Sequence, residues 1–125
     1  MDCFLSDQTA ATLDPSALET IRSWFSPEDP DPVTELTEAF VADATTRLAA
    51  LREAVRREDI TLTGQAAHSL KGMCGAIGAV RMNALSLQLE HAGHDDARAL
   101  ATLVGALEHE FACVQVALHA FLKTR

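Results

Sequence analysis

The segment Ala66-Ala67-His68-Ser69-Leu70-Lys71-Gly72 sets a histidine, a lysine and a glycine close together on what reads as a helix. A free imidazole titrates near pH 6.5, so near pH 7 its unprotonated ring nitrogen is a competent nucleophile. One nitrogen must keep its proton while the other, expected to be Nε2, offers its lone pair. Attack on an electrophile would give a covalent histidine intermediate. Lys71, one turn further on, can bring an ammonium near a bound anion, or lie as a solvated lysine along the helix.

At about 100° per residue, Thr61, Gly64, Gln65, Lys71, Gly72 and Gly75 all fall within about 60° of His68. Ala66, Leu70, Met73 and Ile77 fall near the opposite pole and are the expected buried stripe. His68 is thus expected on the outer face, ringed by polar or side-chain-free positions. Each interior helix glycine costs up to about 1 kcal/mol relative to alanine. Against a total stability of about 5–15 kcal/mol, Gly64, Gly72 and Gly75 are a large concession around one ring. They imply that something bulky must approach it. The plainer alternative is a solvated surface histidine. A glycine-rich phosphate loop at Gly72-Met73-Cys74-Gly75-Ala76-Ile77-Gly78 is disfavoured, because it lacks GK[ST] or GxGxxG and follows no predicted strand.

The elements that must carry this face are helical. Residues 1–12 read as a flexible N-terminal arm and 13–125 as a single domain. Asp14-Pro15 is a helix start, followed by Leu18, Ile21, Trp24 and Phe25 at helical spacing. Ser26 to Pro32 is a turn-rich break, and Asp31-Pro32 repeats the start signal. Leu36, Phe40, Ala44, Leu48, Leu51 and Val55 then describe one long amphipathic helix. After a corner at Asp59, a third helix is predicted over 60–77, closed by Gly78. A fourth runs from near Val80 to Gly93. Asp95 is the expected cap of a fifth, where Leu100, Val104, Leu107, Phe111, Val114, Leu118 and Phe121 recur at alternating steps of four and three. No strand alternation is present. The expected fold is all-α, an antiparallel up-down four-helix bundle with a short additional N-terminal helix across it.

Composition sets limits on function. The chain has 125 residues, with 10 Lys+Arg against 18 Asp+Glu and a net charge of −8. An acidic chain without a basic face is a poor binder of nucleic acid or anionic membrane. No apolar run of about eighteen residues suggests a membrane span, and the N-terminus lacks the pattern of a secretion signal. Cys3, Cys74 and Cys113 form no CxxC pair and read as small apolar residues in a reducing compartment. The expected setting is cytoplasmic, and nothing in the pattern demands more than a monomer.

His68-Ser69-Leu70-Lys71-Gly72, with Gly75, Gly78-Ala79 and Leu89-Glu90, resembles the HxLKG signature of histidine phosphotransfer (HPt) domains. The resemblance extends over most of the chain, from Leu13-Asp14-Pro15 through the 36–60 helix. Met73-Cys74 departs modestly, standing where small residues are common. The resemblance implies that His68 is the phosphoacceptor, and that Lys71 and Gly72 serve the transfer. It implies that Glu90 hydrogen-bonds the imidazole Nδ1–H and fixes its tautomer. Gln65, Gly64 and Gly75 are expected to line the face that binds a partner. The implied partners are receiver domains of a hybrid histidine kinase and of a response regulator. The chain itself is expected to bind no cofactor, Mg²⁺ coming with the receiver, and it has no nucleotide-binding loop.

Alternative functions are the phosphoacceptor domain of a chemotaxis-type histidine kinase, a non-catalytic helical adaptor that binds receivers, and a metal-storing bundle. His91 and His94 flank a helix end, where a cation suits the dipole. His109 and His119 sit beside the last apolar seam. No ExxH, HExxH or Cys/His array is present, so no metal site is expected.

Overall fold

The computed structural model describes residues 12–28, 31–92 and 96–123. These form five α-helices and, among the described residues, no strand: α1 (Pro15–Ser23), α2 (Pro32–Arg56), α3 (Ile60–Ile77), α4 (Val80–His91) and α5 (Ala97–Leu122). The arm expected over 1–12 lies, apart from Thr12, outside the described residues, as do Gly93 and Asp95.

Aspartate starts four of the helices. Asp14, Asp31, Asp59 and Asp96 each accept a first-turn backbone N–H, from Ser16, from Val33 and Thr34, from Leu62 and from Ala99 respectively. The cap of α5 is therefore Asp96, one residue beyond the expected Asp95. Two helices end in the same way. Gly78 has φ 82°, its neighbour's Ala79 N–H bonds the Cys74 carbonyl at 2.9 Å, and α3 stops there. At the end of α2, Glu58 takes φ 56°, and the Asp59 N–H reaches the Ala54 carbonyl at 2.9 Å. A non-glycine residue thus occupies a left-handed position at that corner.

α2 packs against α3 and α5, and α4 packs against the same two helices. α1 lies on α2 and α3, and the Asp14 N–H donates to the Gly78 carbonyl at 2.8 Å. One apolar cluster joins all five helices, including Leu18, Phe40, Leu51, Leu70, Met82, Leu89, Leu107 and Leu118. Phe111 is half-buried against Phe40 in an edge-to-face contact, with centroids 6.2 Å apart. Buried Glu110 lies on α5 with Arg81 of α4 at 3.7 Å.

Several expected positions shift. On α3 the buried residues are Thr63, Ala67, Leu70, Cys74 and Ile77, while Ala66 and Met73 are half-buried. The stripe is turned about 40° from the predicted pole, because α4 covers the Lys71 side of α3. On α2 the stripe begins with Val33 and Thr37, and Leu36 is exposed. Trp24 and Phe25 lie beyond the end of α1, exposed at 69% and 46%. α1 is too short to bury them, so with Ile21, Leu36, Phe40 and Met73 they line an open apolar groove of about 840 Å³.

Cys74 is a buried free thiol, whereas Cys113 is disulfide-bonded, contrary to the expectation of three reduced cysteines. By length and overall composition α5 could cross a bilayer, yet Glu108, His109 and Glu110 interrupt it, so it holds no unbroken apolar run of that length. Its inner face here packs on α2 and α4.

Candidate functional site

α3 carries His68 on its outer face, with the side chain 67% exposed. It stands there because the buried residues of α3, Ala67, Leu70 and Cys74 among them, occupy the other side of the helix. α4 returns along α3 after only Gly78 and Ala79, and this short turn brings Glu90 back beside His68.

The Glu90 carboxylate bridges two groups on α3. Its Oε2 lies 2.7 Å from His68 Nδ1, and its Oε1 lies 2.8 Å from Lys71 Nζ. Hydrogen bonds from Lys71, and then from His68, hold its carboxyl below the usual glutamate range. An ionised carboxylate can only accept, so Nδ1 carries the hydrogen in the neutral ring. The lone pair is then on Nε2, on the side of the imidazole away from Glu90. Glu90 is three-quarters covered, which restrains the carboxylate while the ring it holds stays open to solvent.

Lys71 is itself only 30% exposed and is engaged with Glu90. The sequence suggests an ammonium aimed at an incoming phosphoryl group; in this structure it is paired, one carboxylate away from the imidazole. It therefore sits close enough to change partner when a new anion arrives.

The glycines divide. A Cβ built on Gly72 or Gly64 would meet nothing within 4 Å, so both stand beside open space. A Cβ on Gly75 would lie 3.5 Å from Asn83 Nδ2, which sets this glycine at the α3–α4 seam. Gly64 and Gln65 join Ile60, Thr61, Ser69, His68 and Glu90 around an open depression of about 530 Å³. The larger apolar groove beside Trp24 is lined by one ionisable side chain, Asp43, whereas the smaller depression is lined by both His68 and Glu90. Among the described residues, no three His, Cys, Asp or Glu side chains gather as a metal-binding group.

Two features escape the sequence reading. Ile60, read only as the first residue of α3, stands 52% exposed at the edge of the depression. Asn83, on α4, donates to the Lys71 carbonyl at 2.8 Å. The available signal for Asn83 is its spacing two turns before Glu90, which puts both on one face of α4.

Comparison with known proteins agrees with this arrangement. The model of the Hpt domain matches residues 35–119. Among solved structures, the histidine-containing phosphotransfer protein B (HptB) of Pseudomonas aeruginosa PAO1 superposes with a TM-score of 0.76 and 28% sequence identity. That match covers 91% of this chain and 97% of the other. Comparison with curated proteins yields no match. Because the Hpt domain match spans residues 35–119, which include the helices that carry His68 and Glu90, this chain belongs to the Hpt domain family.

Proposed function

We propose that this chain is a phosphorelay intermediate in which His68 accepts a phosphoryl group from a receiver-domain aspartyl phosphate and passes it to the aspartate of a response regulator. The observation that carries this reading is the 2.7 Å contact between Glu90 and Nδ1, which leaves Nε2 as the exposed nucleophile. In the forward step the Nε2 lone pair forms the P–N bond as the P–O bond to the donor aspartate breaks. The carboxylate leaves with the bonding electrons, and the proton on Nδ1 stays facing Glu90. The resulting imidazolium is offset by Glu90, and the ammonium of Lys71 is within reach of the new phosphoryl oxygens. In the return step the acceptor's carboxylate attacks phosphorus and the imidazole leaves neutral.

Magnesium is expected with the receiver, where it would offset charge on the phosphoryl group. Gly64 and Gly72 keep the approach to His68 low, as a docked receiver requires, and Gln65 beside them would contact the phosphoryl group or the partner. We further read α2 to α5 as an antiparallel up-down four-helix bundle with α1 laid across one end, residues 13–125 forming one domain. The two-residue connection between α3 and α4 supports that reading. A monomer suits this role; the cytoplasmic setting expected from the sequence stands against the disulfide at Cys113.

The test is incubation of the domain with a pre-phosphorylated receiver and Mg²⁺. Label should move to the domain in an acid-labile, alkali-stable form, and His68→Gln should abolish it. Label retained in that variant refutes the assignment.

A further inference from the structure

Lys71 is held at both ends by α4. Glu90 takes its ammonium at 2.8 Å, and Asn83, part-buried, donates from Nδ2 to its backbone carbonyl, also at 2.8 Å. A carbonyl only accepts, so the amide must present its nitrogen there. In an α-helix the carbonyl of residue 71 already faces the N–H of residue 75, so Asn83 uses its second lone pair. The helices meet closely at this point, as the 3.5 Å approach of a Cβ at Gly75 to Asn83 shows.

Asn83 and Glu90 stand two turns apart on one face of α4, about 10 Å along its axis. The apolar side chains they flank, Met82 and Leu89 on α4 with Leu70 and Cys74 on α3, belong to the common core. Such contacts are non-directional and fix the separation of two helices better than their relative slide. A hydrogen bond to a fixed backbone oxygen is directional and does fix the slide.

We infer that Asn83 is a positioning residue: its bond to the Lys71 carbonyl sets the register of α4 on α3, and so holds Glu90 where it orients the His68 imidazole. The consequence for transfer rests on the reading of His68 as phosphoacceptor, while the register itself rests on the bonds alone. Asn83 touches no reacting atom. It acts through Glu90.

The experiment compares the full chain with Asn83→Ala and with the isosteric Asn83→Asp, which sets an acceptor against the carbonyl. Gln88→Ala, on an exposed position of α4, is the control. Nitrogen-15 shifts of the His68 ring report its tautomer, and labelling by a phosphorylated receiver reports transfer. The Nδ1–H tautomer is expected to predominate in the parent and the control. Both Asn83 variants should gain the Nε2–H form and transfer about tenfold more slowly, the low end of what losing an outer hydrogen-bond partner costs at metal-ligating histidines. A lowered unfolding midpoint with the parent's tautomer ratio and rate would mean a merely structural role and overturn the inference. If the parent takes no label while its tautomer responds to Asn83, the phosphoacceptor reading fails and the register claim stands. Asn83→Ser, too short to reach the carbonyl, replaces Asn83→Ala should that variant not fold.

Discussion

Gly72 offers a perturbation whose effects on stability and on transfer have opposite signs. It is exposed in the interior of α3, and a Cβ there would meet nothing within 4 Å. Alanine therefore brings no clash from the fold and replaces a residue poorly suited to helices with the best one. The gain is about 0.8–1 kcal/mol, or about 3–6 °C in the unfolding midpoint of a domain of this size. Gly72 also lies about 40° around the helix from His68 and about 6 Å along it. A leucine there raises a branched side chain beside the ring, on the face a receiver must approach. Transfer should slow at least about tenfold for Gly72→Leu, equivalent to about 1.4 kcal/mol in the barrier, with Gly72→Ala between it and the parent. Thermal unfolding followed by circular dichroism gives the first quantity, and the single-turnover labelling rate with excess phosphorylated receiver gives the second. Unchanged transfer in Gly72→Leu refutes the clearance argument. A less stable Gly72→Ala refutes the open space beside it.

The two left-handed helix ends give a matched pair of stability tests. Gly78→Ala should destabilise by at least about 2 kcal/mol, because an L-residue is strained at φ 82° and its Cβ would lie 2.6 Å from the Asp14 carbonyl oxygen. Glu58→Gly should stabilise by about 1 kcal/mol by relieving the same conformation; urea titration of both variants decides, and shifts of equal sign refute the account. The carboxyls of Glu90, Glu53, Glu108 and Asp14 are all held below their usual values, each first by a hydrogen bond from a neighbouring side chain. Their stabilisation is complete above the ordinary carboxylate range and lost as pH falls through it to the lowered values, so urea midpoints should hold steady to about pH 5 and fall below it. Glu90→Gln should fall less steeply, and parallel curves would refute its part. Burial pushes the Cys74 thiol up to about 12, so peptide-level mass spectrometry should find it unalkylated by iodoacetamide at pH 8 until the chain is unfolded.

What could be read from the sequence was what local chemistry dictates. Gly78 closes α3 where predicted because a left-handed residue ending a helix favours glycine, and Asp59 opens it because its carboxylate meets a free N–H. The exposure of His68 follows from the 3.6-residue period alone. Features that depend on a second helix were less legible. The buried stripe of α3 turns toward Ala67 and Cys74 because α4 lies on one flank. Leu36 and Trp24 are apolar at helical spacing yet exposed, since nine residues of α1 do not reach far enough to cover them. The pairing of Lys71 with Glu90 and the bond from Asn83 span the α3–α4 turn, and spacing within either helix says nothing about which atoms will meet across it.

Trp24 has a practical consequence of its own. The chain contains one tryptophan and no tyrosine, and that indole stands at the rim of the apolar groove, mostly in water. Its ultraviolet emission therefore originates at a single surface address. Anything that settles over the groove would dry the indole and move its emission to shorter wavelength, so the native chain is already a fluorescent titration probe for that side of the molecule, without dye or label.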